Sequence, residues 1–184
     1  IPSWEKLRVY QSGIYPNFLT SIPKRHMTIR DLLTHMSGLT YDFMYRTNVD
    51  AAYRKTKVQQ AESLEEFVEI LSTLPLEFSP GDKWNYSVST DVLGYLVEVL
   101  SGMKLEEYFK KFIFEPLEME DTSFSCPKEK VDRLCALYEH NPKGEPRLLE
   151  IPFLNTKMES GGGGLFSTMN DYHKKDSNYL MSIY

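Results

Sequence analysis

The residue order predicts a mainly α-helical protein with short β segments. Three observations carry this. Apolar residues recur at helical spacing in four separate stretches. Ser or Thr stands ahead of several of them, with an acidic residue following in the first turn. Proline or glycine closes most of them. With 184 residues, 41% hydrophobic and 26% charged, the chain has the makings of one ordinary globular core.

Taken in order, "RVYQSG" is the first strand candidate. "MTIRDLLTHMSGL" offers Thr28 as N-cap, Asp31 three residues on, and Gly38 to end a short helix. "SLEEFVEILSTLP" pairs Ser63 with Glu66, spaces Leu64, Phe67, Val68, Leu71 and Leu74 along one face, and stops at Pro75. In "FSPGDKWNYSVSTDVLGYLVEVLSG", a Pro-Gly turn leads to a helix with Ser89 as expected N-cap. Its expected buried stripe is Val92, Leu96, Val99 and Leu100, and Gly102 sits at its C-terminal end. "KLEEYFKKFIFEPL" comes next, with Leu105, Tyr108, Phe109, Phe112 and Ile113 expected to face the core and Pro116 to end it. Residues 118–160 read as loop and short strands, "PRLLEIPF" being the better candidate. Thr168 and Asp171 open a last helix. Residues 1–172 are expected to form one domain and 173–184 a tail.

Several function classes are excluded. The formal charge of -5 argues against a nucleic-acid surface. No apolar run approaches the roughly 18 to 20 residues that span a bilayer. The start, "IPSWEKLRVY", is not a signal peptide, and without an initiator methionine the chain is expected to be a mature or truncated product. Cys126 and Cys135 read as two reduced thiols. His26, His35, His140 and His173 show no metal-ligand spacing, so no metal site is expected. Gly161 to Gly164 lack the Gly-Lys-Ser/Thr that completes a phosphate loop and are expected instead to permit a tight turn.

One residue stands out. Tyr86 occupies the irregular joint between the Pro-Gly turn and its helix, where the residue by itself reads as a packed aromatic. The segments "MTIRDLLTHMSGLTYDF", "FSPGDKWNYSVSTDVLGYLVEVLSG" and "ESGGGGLFSTMNDY", in this order, resemble landmarks of the serine β-lactamase-like, penicillin-binding-protein-like hydrolases. These include class C β-lactamases, D-alanyl-D-alanine carboxypeptidases and family VIII carboxylesterases. The resemblance implies the helical subdomain of the α/β β-lactamase-like, or transpeptidase-like, fold, with the flanking sheet strands largely missing. It also implies ester or amide cleavage through an acyl-enzyme, with Tyr86 as proton shuttle and no cofactor. A phenol titrates near pH 10, so this role needs positive charge close by. Val88 stands where the family's Tyr-x-Asn carries its amide, which tilts the substrate toward esters. Tyr41, Gly161 and Gly162 are the other expected substrate-binding positions beside Val88. His35 is expected to be a structural hydrogen bonder, and Phe43 to share the cleft mouth with Tyr41.

The family's nucleophile motif, Ser-x-x-Lys, has no well-placed match. Ser21/Lys24 and Ser125/Lys128 carry an internal proline, and Ser101/Lys104 sits at a helix end. Ser3/Lys6 lies in a segment that resembles the family's chain just after the nucleophile. "KTK" at 55–57 lacks a glycine and comes too early to be the third motif. The nucleophile is therefore expected upstream of residue 1, and this chain alone is expected to be inactive. Two rivals remain: a non-catalytic binding or scaffold relative, and a helical interaction module. The implied partner is a small-molecule ester or amide. Self-association through an exposed apolar face is also expected.

Overall fold

The computed structural model describes residues 1–149 and 157–181. These form two compact units, Ile1–Leu105 with Lys157–Gly163, and Glu106–Thr156 with Gly164–Tyr184.

The first unit opens with a 3-10 turn, Pro2–Lys6, and an antiparallel hairpin of β1 (Val9–Ile14) and β2 (Asn17–Ser21). β1 lies where "RVYQSG" predicts a strand. Helices α1 (Ile29–Leu33), α2 (Asn48–Thr56), α3 (Leu64–Ser72) and α4 (Ser89–Ser101) come next along the chain. The apolar face of α3 is the centre of the core: Leu64, Phe67, Val68 and Leu71 are all buried. Burying each such side chain stabilises by about 1.5–3 kcal/mol. The residue after α3 and Pro75, Leu76, exchanges backbone hydrogen bonds with Arg8 and Tyr10, which ties β1 to the end of the helix.

Thr28 and Asp31 form the expected reciprocal capping box at the start of α1. Asp31 is clamped as well by both guanidinium nitrogens of Arg25, at 2.6 and 2.7 Å. Arg25, and then Thr28, hold its carboxyl well below the usual carboxylate range, against the opposing effect of burial. Ser63 caps α3 through the Glu66 N–H, but the Glu66 carboxylate reaches back to the Glu62 N–H, one residue beyond the expected box. α2 has no counterpart in the periodicity reading. Its signal is a capping box, Thr47 with Asp50, ahead of a polar-looking run whose Val49, Ala52 and Tyr53 are buried.

Three expectations are corrected here. Gly38 does not end α1. His35 does, in the left-handed region at φ 54, with its N–H on Leu32 O and the Met36 N–H on Asp31 O. This is the paired C-terminal closure normally built on glycine. Ser89 is not the N-cap of α4: Val88 holds that position, and Ser89 is the first helical residue. The stripe of α4 is buried only at Val92, with Val99 and Leu100 exposed, because α1 and α3 pack on it and cover its first turns. Gly102 takes its expected left-handed C-terminal place at φ 70.

α5 (Leu105–Phe109), whose residues from Glu106 on belong to the second unit, runs directly into a π-helical turn, Lys110–Phe114. The Glu115 N–H bonds to Lys110 O, five residues back. That extra residue per turn rotates the apolar stripe. Phe114 is buried in place of the expected Phe112, which is exposed. Phe114 meets Phe109 edge-on, and Phe109 stacks on the buried Phe124. Beyond these lie a 3-10 turn at Lys128–Arg133 and a hairpin of β3 (Leu137–Glu139) and β4 (Arg147–Leu149). β4 covers the first part of the "PRLLEIPF" candidate; residues 150–153 lie outside the described residues. α6 (Met169–Met181) starts at Thr168, whose hydroxyl accepts the Asp171 N–H as expected.

In urea denaturation, Val92→Ala is expected to cost about 1–3 kcal/mol and Leu100→Ala under about 0.5 kcal/mol. The Asp31 carboxyl is depressed in the folded state. Its stabilisation is therefore complete above the unfolded value of about 4 and is lost as pH falls below it. Asp31→Asn is expected to flatten the acid limb of a stability-against-pH curve.

Candidate active site

Two segments of the first unit, 35–41 and 85–88, are joined by hydrogen bonds, and the site stands on that seam. The Asn85 N–H donates to His35 O at 2.9 Å, and its side-chain amide donates to Leu39 O at 2.9 Å. Arg46 donates to the Asn85 side-chain oxygen at 2.8 Å, and the Val88 N–H reaches Thr40 O at 3.3 Å. Held on both sides, Tyr86 projects from the joint and is 44% exposed. Its ring lies between His35 (centroids 5.1 Å apart) and Tyr41 (5.0 Å). Tyr41 is buried and stacks on the exposed Phe43 at 4.6 Å, while the exposed Trp84 meets His35 edge-on.

The other expected positions separate. Val88 is fully buried, so its side chain is part of the core and not of an open surface. Gly161 and Gly162 do lie beside the site, for a steric reason. A Cβ on Gly161 would stand 2.4 Å from Thr90 O and 3.1 Å from the Gly94 Cα. Only bare backbone can approach α4 that closely. The approach brings the Gly162 N–H (3.3 Å) and the Ser160 hydroxyl onto Oδ1 of Asp91, the third residue of α4.

Asp91 is 1% exposed, and burial pushes its carboxyl up, against the pull of Ser160 and the backbone N–H groups. Burial first, then the Asp91 charge, then the Tyr86 phenol keep the Tyr41 hydroxyl protonated well above the ordinary phenol range. Tyr41 is thus a protonated phenol whose ring packs beside Tyr86.

His35 is the hydrogen bonder the sequence suggests, at the end of a buried hydroxyl chain. The Leu39 N–H donates to Ser37 Oγ, Ser37 and Ser89 are 2.7 Å apart, Ser89 and Ser87 2.8 Å, and Ser87 lies 3.3 Å from His35 Nδ1. Each serine has one proton to give. Passing the protons from Ser37 toward His35 uses all three; the reverse leaves the Ser37 hydrogen without an acceptor among the described residues. Ser87 beside His35 is no nucleophile, since it is fully buried.

Asp91, Ser160 and the three serines escaped the sequence reading as site residues. The only signal for them is the alternation of polar residues at 87, 89 and 91, which resembles an ordinary helix start. Members of the three Ser-x-x-Lys pairs in the first unit are bonded to other groups. Ser3 donates to Glu69, Lys24 pairs with Asp82, the Ser101 hydroxyl bonds back to Val97 O, Lys104 pairs with Glu98, and Ser125 and Lys128 belong to the second unit. Among the described residues no group of three His, Cys, Asp or Glu side chains is placed to hold a metal ion, and no helix is long and apolar enough to cross a membrane.

The Beta-lactamase family model matches residues 12–176. The chain belongs to that family. Protein Rv1367c of Mycobacterium tuberculosis is 31% identical, covering 93% of this chain and 43% of its own length. Lovastatin esterase of Penicillium rubens is 34% identical, covering 83% of this chain and 39% of its own. The unliganded simvastatin synthase of Aspergillus terreus superposes with a TM-score of 0.71 at 27% identity, over 94% of this chain and 42% of that one. The fold is thus β-lactamase-like, and the chain spans less than half the length of these relatives.

Alanine at Gly161 forces a Cβ against backbone and is expected to cost about 1–3 kcal/mol. At Gly163, where a Cβ meets nothing within 4 Å, alanine is expected to be neutral. Thermal melts of the two variants check this.

Proposed function

We propose that this chain is the proton-shuttle part of a serine acyl-transfer enzyme acting on small esters or amides, with Tyr86 as the shuttle. The observation that carries this reading is the half-open phenol at the seam, packed beside the protonated Tyr41. The family membership and the esterase and synthase relatives support the reaction class. On this reading the nucleophilic serine and its lysine are supplied from outside residues 1–184; of the pairs in the first unit, Ser3, Lys24, Ser101 and Lys104 are bonded to other groups.

In the reaction Tyr86 acts as the phenolate, with the lysine that accompanies the nucleophile as its counter-charge, and the serine oxygen bonds to the substrate carbonyl carbon as its proton passes to the Tyr86 oxygen. Tyr86 returns that proton to the leaving oxygen or nitrogen as its bond to carbon breaks. In the second half a water or alcohol gives its proton to Tyr86, attacks the acyl carbon, and the serine oxygen departs with the proton. The buried Val88, where the resembling motif has an amide, leaves fewer polar groups for a peptide-like substrate and favours esters.

In protein expressed from the complete reading frame containing these residues, Tyr86→Phe is expected to lower kcat on a p-nitrophenyl ester about 10²–10⁴-fold with the fold unchanged. Retention of more than half the activity would overturn the assignment. The 184-residue chain alone is expected to resist a fluorophosphonate probe; stoichiometric labelling would place a nucleophile within it.

A further inference from the structure

The buried carboxyl of Asp91 has unequal oxygens. Oδ1 accepts from the Ser160 hydroxyl and the Gly162 N–H. Oδ2 is buried with no hydrogen-bond partner among the described residues. A desolvated carboxylate oxygen without a donor costs several kcal/mol, so a buried oxygen of this kind normally marks an interaction that matters.

Oδ2 faces a specific neighbour. A Cβ on Gly162 would stand 2.9 Å from Oδ2 and 3.1 Å from the Tyr41 hydroxyl. The two oxygens therefore converge on the bare face of one glycine. Gly162 has no positive φ to explain it, so space rather than backbone conformation calls for glycine there.

Tyr41 has one proton and two acceptors in its surroundings, the Tyr86 oxygen and Asp91 Oδ2. With Asp91 ionised, Oδ2 draws that proton. With Asp91 protonated on Oδ2, the carboxylic acid becomes the donor to the Tyr41 oxygen, and the Tyr41 proton turns to Tyr86. We propose that Asp91 is a positioning residue: across the bare α-carbon of Gly162, directly or through one water, its Oδ2 decides whether Tyr41 gives its hydrogen bond to Tyr86. The catalytic consequence rests on the reading of Tyr86 as proton shuttle; the hydrogen-bond arrangement does not.

The other titratable group touching Tyr86 is His35, on the turn after α1. Arg46 reaches the seam through Asn85, and Tyr41 approaches from the turn before α2. The test uses the 184-residue chain carrying ¹³C-labelled tyrosine and His35→Gln, which removes the imidazole titration. The Tyr86 ring Cζ resonance is assigned with Tyr86→Phe and tracked through the pH range in which Asp91 titrates. A step in the Tyr86 resonance that coincides with titration of the Asp91 carboxyl is expected. The step is expected to vanish in Asp91→Asn, which keeps an oxygen for Ser160 and Gly162 and puts a permanent N–H donor in place of Oδ2. It is also expected to vanish in Tyr41→Phe, which keeps the ring and removes the relay. A step that persists in either variant, or is absent with Asp91 and Tyr41 intact, overturns the proposal. The outcome is independent of activity: loss of turnover in Tyr86→Phe tests the shuttle, and the resonance tests Asp91.

Discussion

Asn85 is the residue on which the arrangement depends. Its backbone and side chain make three hydrogen bonds, to His35 O, to Leu39 O and from Arg46, and they fasten 35–41 to 85–88. Both rings that flank Tyr86, His35 and Tyr41, come from the segment so fastened. The interaction is asymmetric in energy. A satisfied hydrogen bond is worth about 1 kcal/mol, while a buried carbonyl left without its donor costs about 1–3 kcal/mol. A seam of this kind therefore specifies one arrangement more strongly than it stabilises the fold.

The seam explains why two unusual backbone choices are tolerated. His35 accepts a left-handed conformation that glycine would adopt more easily, and that conformation turns its ring toward Tyr86 and its carbonyl toward Asn85. On the other side, Gly161 and Gly94 let the 160–163 segment approach α4 to backbone contact, which carries Ser160 and Gly162 onto Asp91. The polar groups buried around the seam are paired nearly throughout. The serine chain closes on His35, and Oδ2 of Asp91 is the exception among the described residues there.

The chain belongs to the Beta-lactamase family. It carries a tyrosine at the joint, a glycine run against the helix behind it and the α-helical packing that supports both. The Ser-x-x-Lys pairs within it are held at a 3-10 turn, a strand end, a helix end and a loop. A pattern of two residues at fixed spacing carries no information about what it faces; Ser3 faces Glu69 and Lys24 faces Asp82.

Local chemistry was readable from the sequence alone. The caps at Thr28, Ser63 and Thr168, the buried face of α3 and the glycine closing α4 arise from interactions within a few residues. These are governed by propensity, periodicity and capping. Tertiary structure decided what depends on distant neighbours. It buried Val88, left Val99 and Leu100 in solvent, turned Phe114 inward through a π turn and set Asp91 against Tyr41 and Gly162. Spacing along a chain states which residues share a face. Which face is covered, and which oxygen is left without a donor, depends on segments fifty to seventy residues away, and no local pattern encodes them.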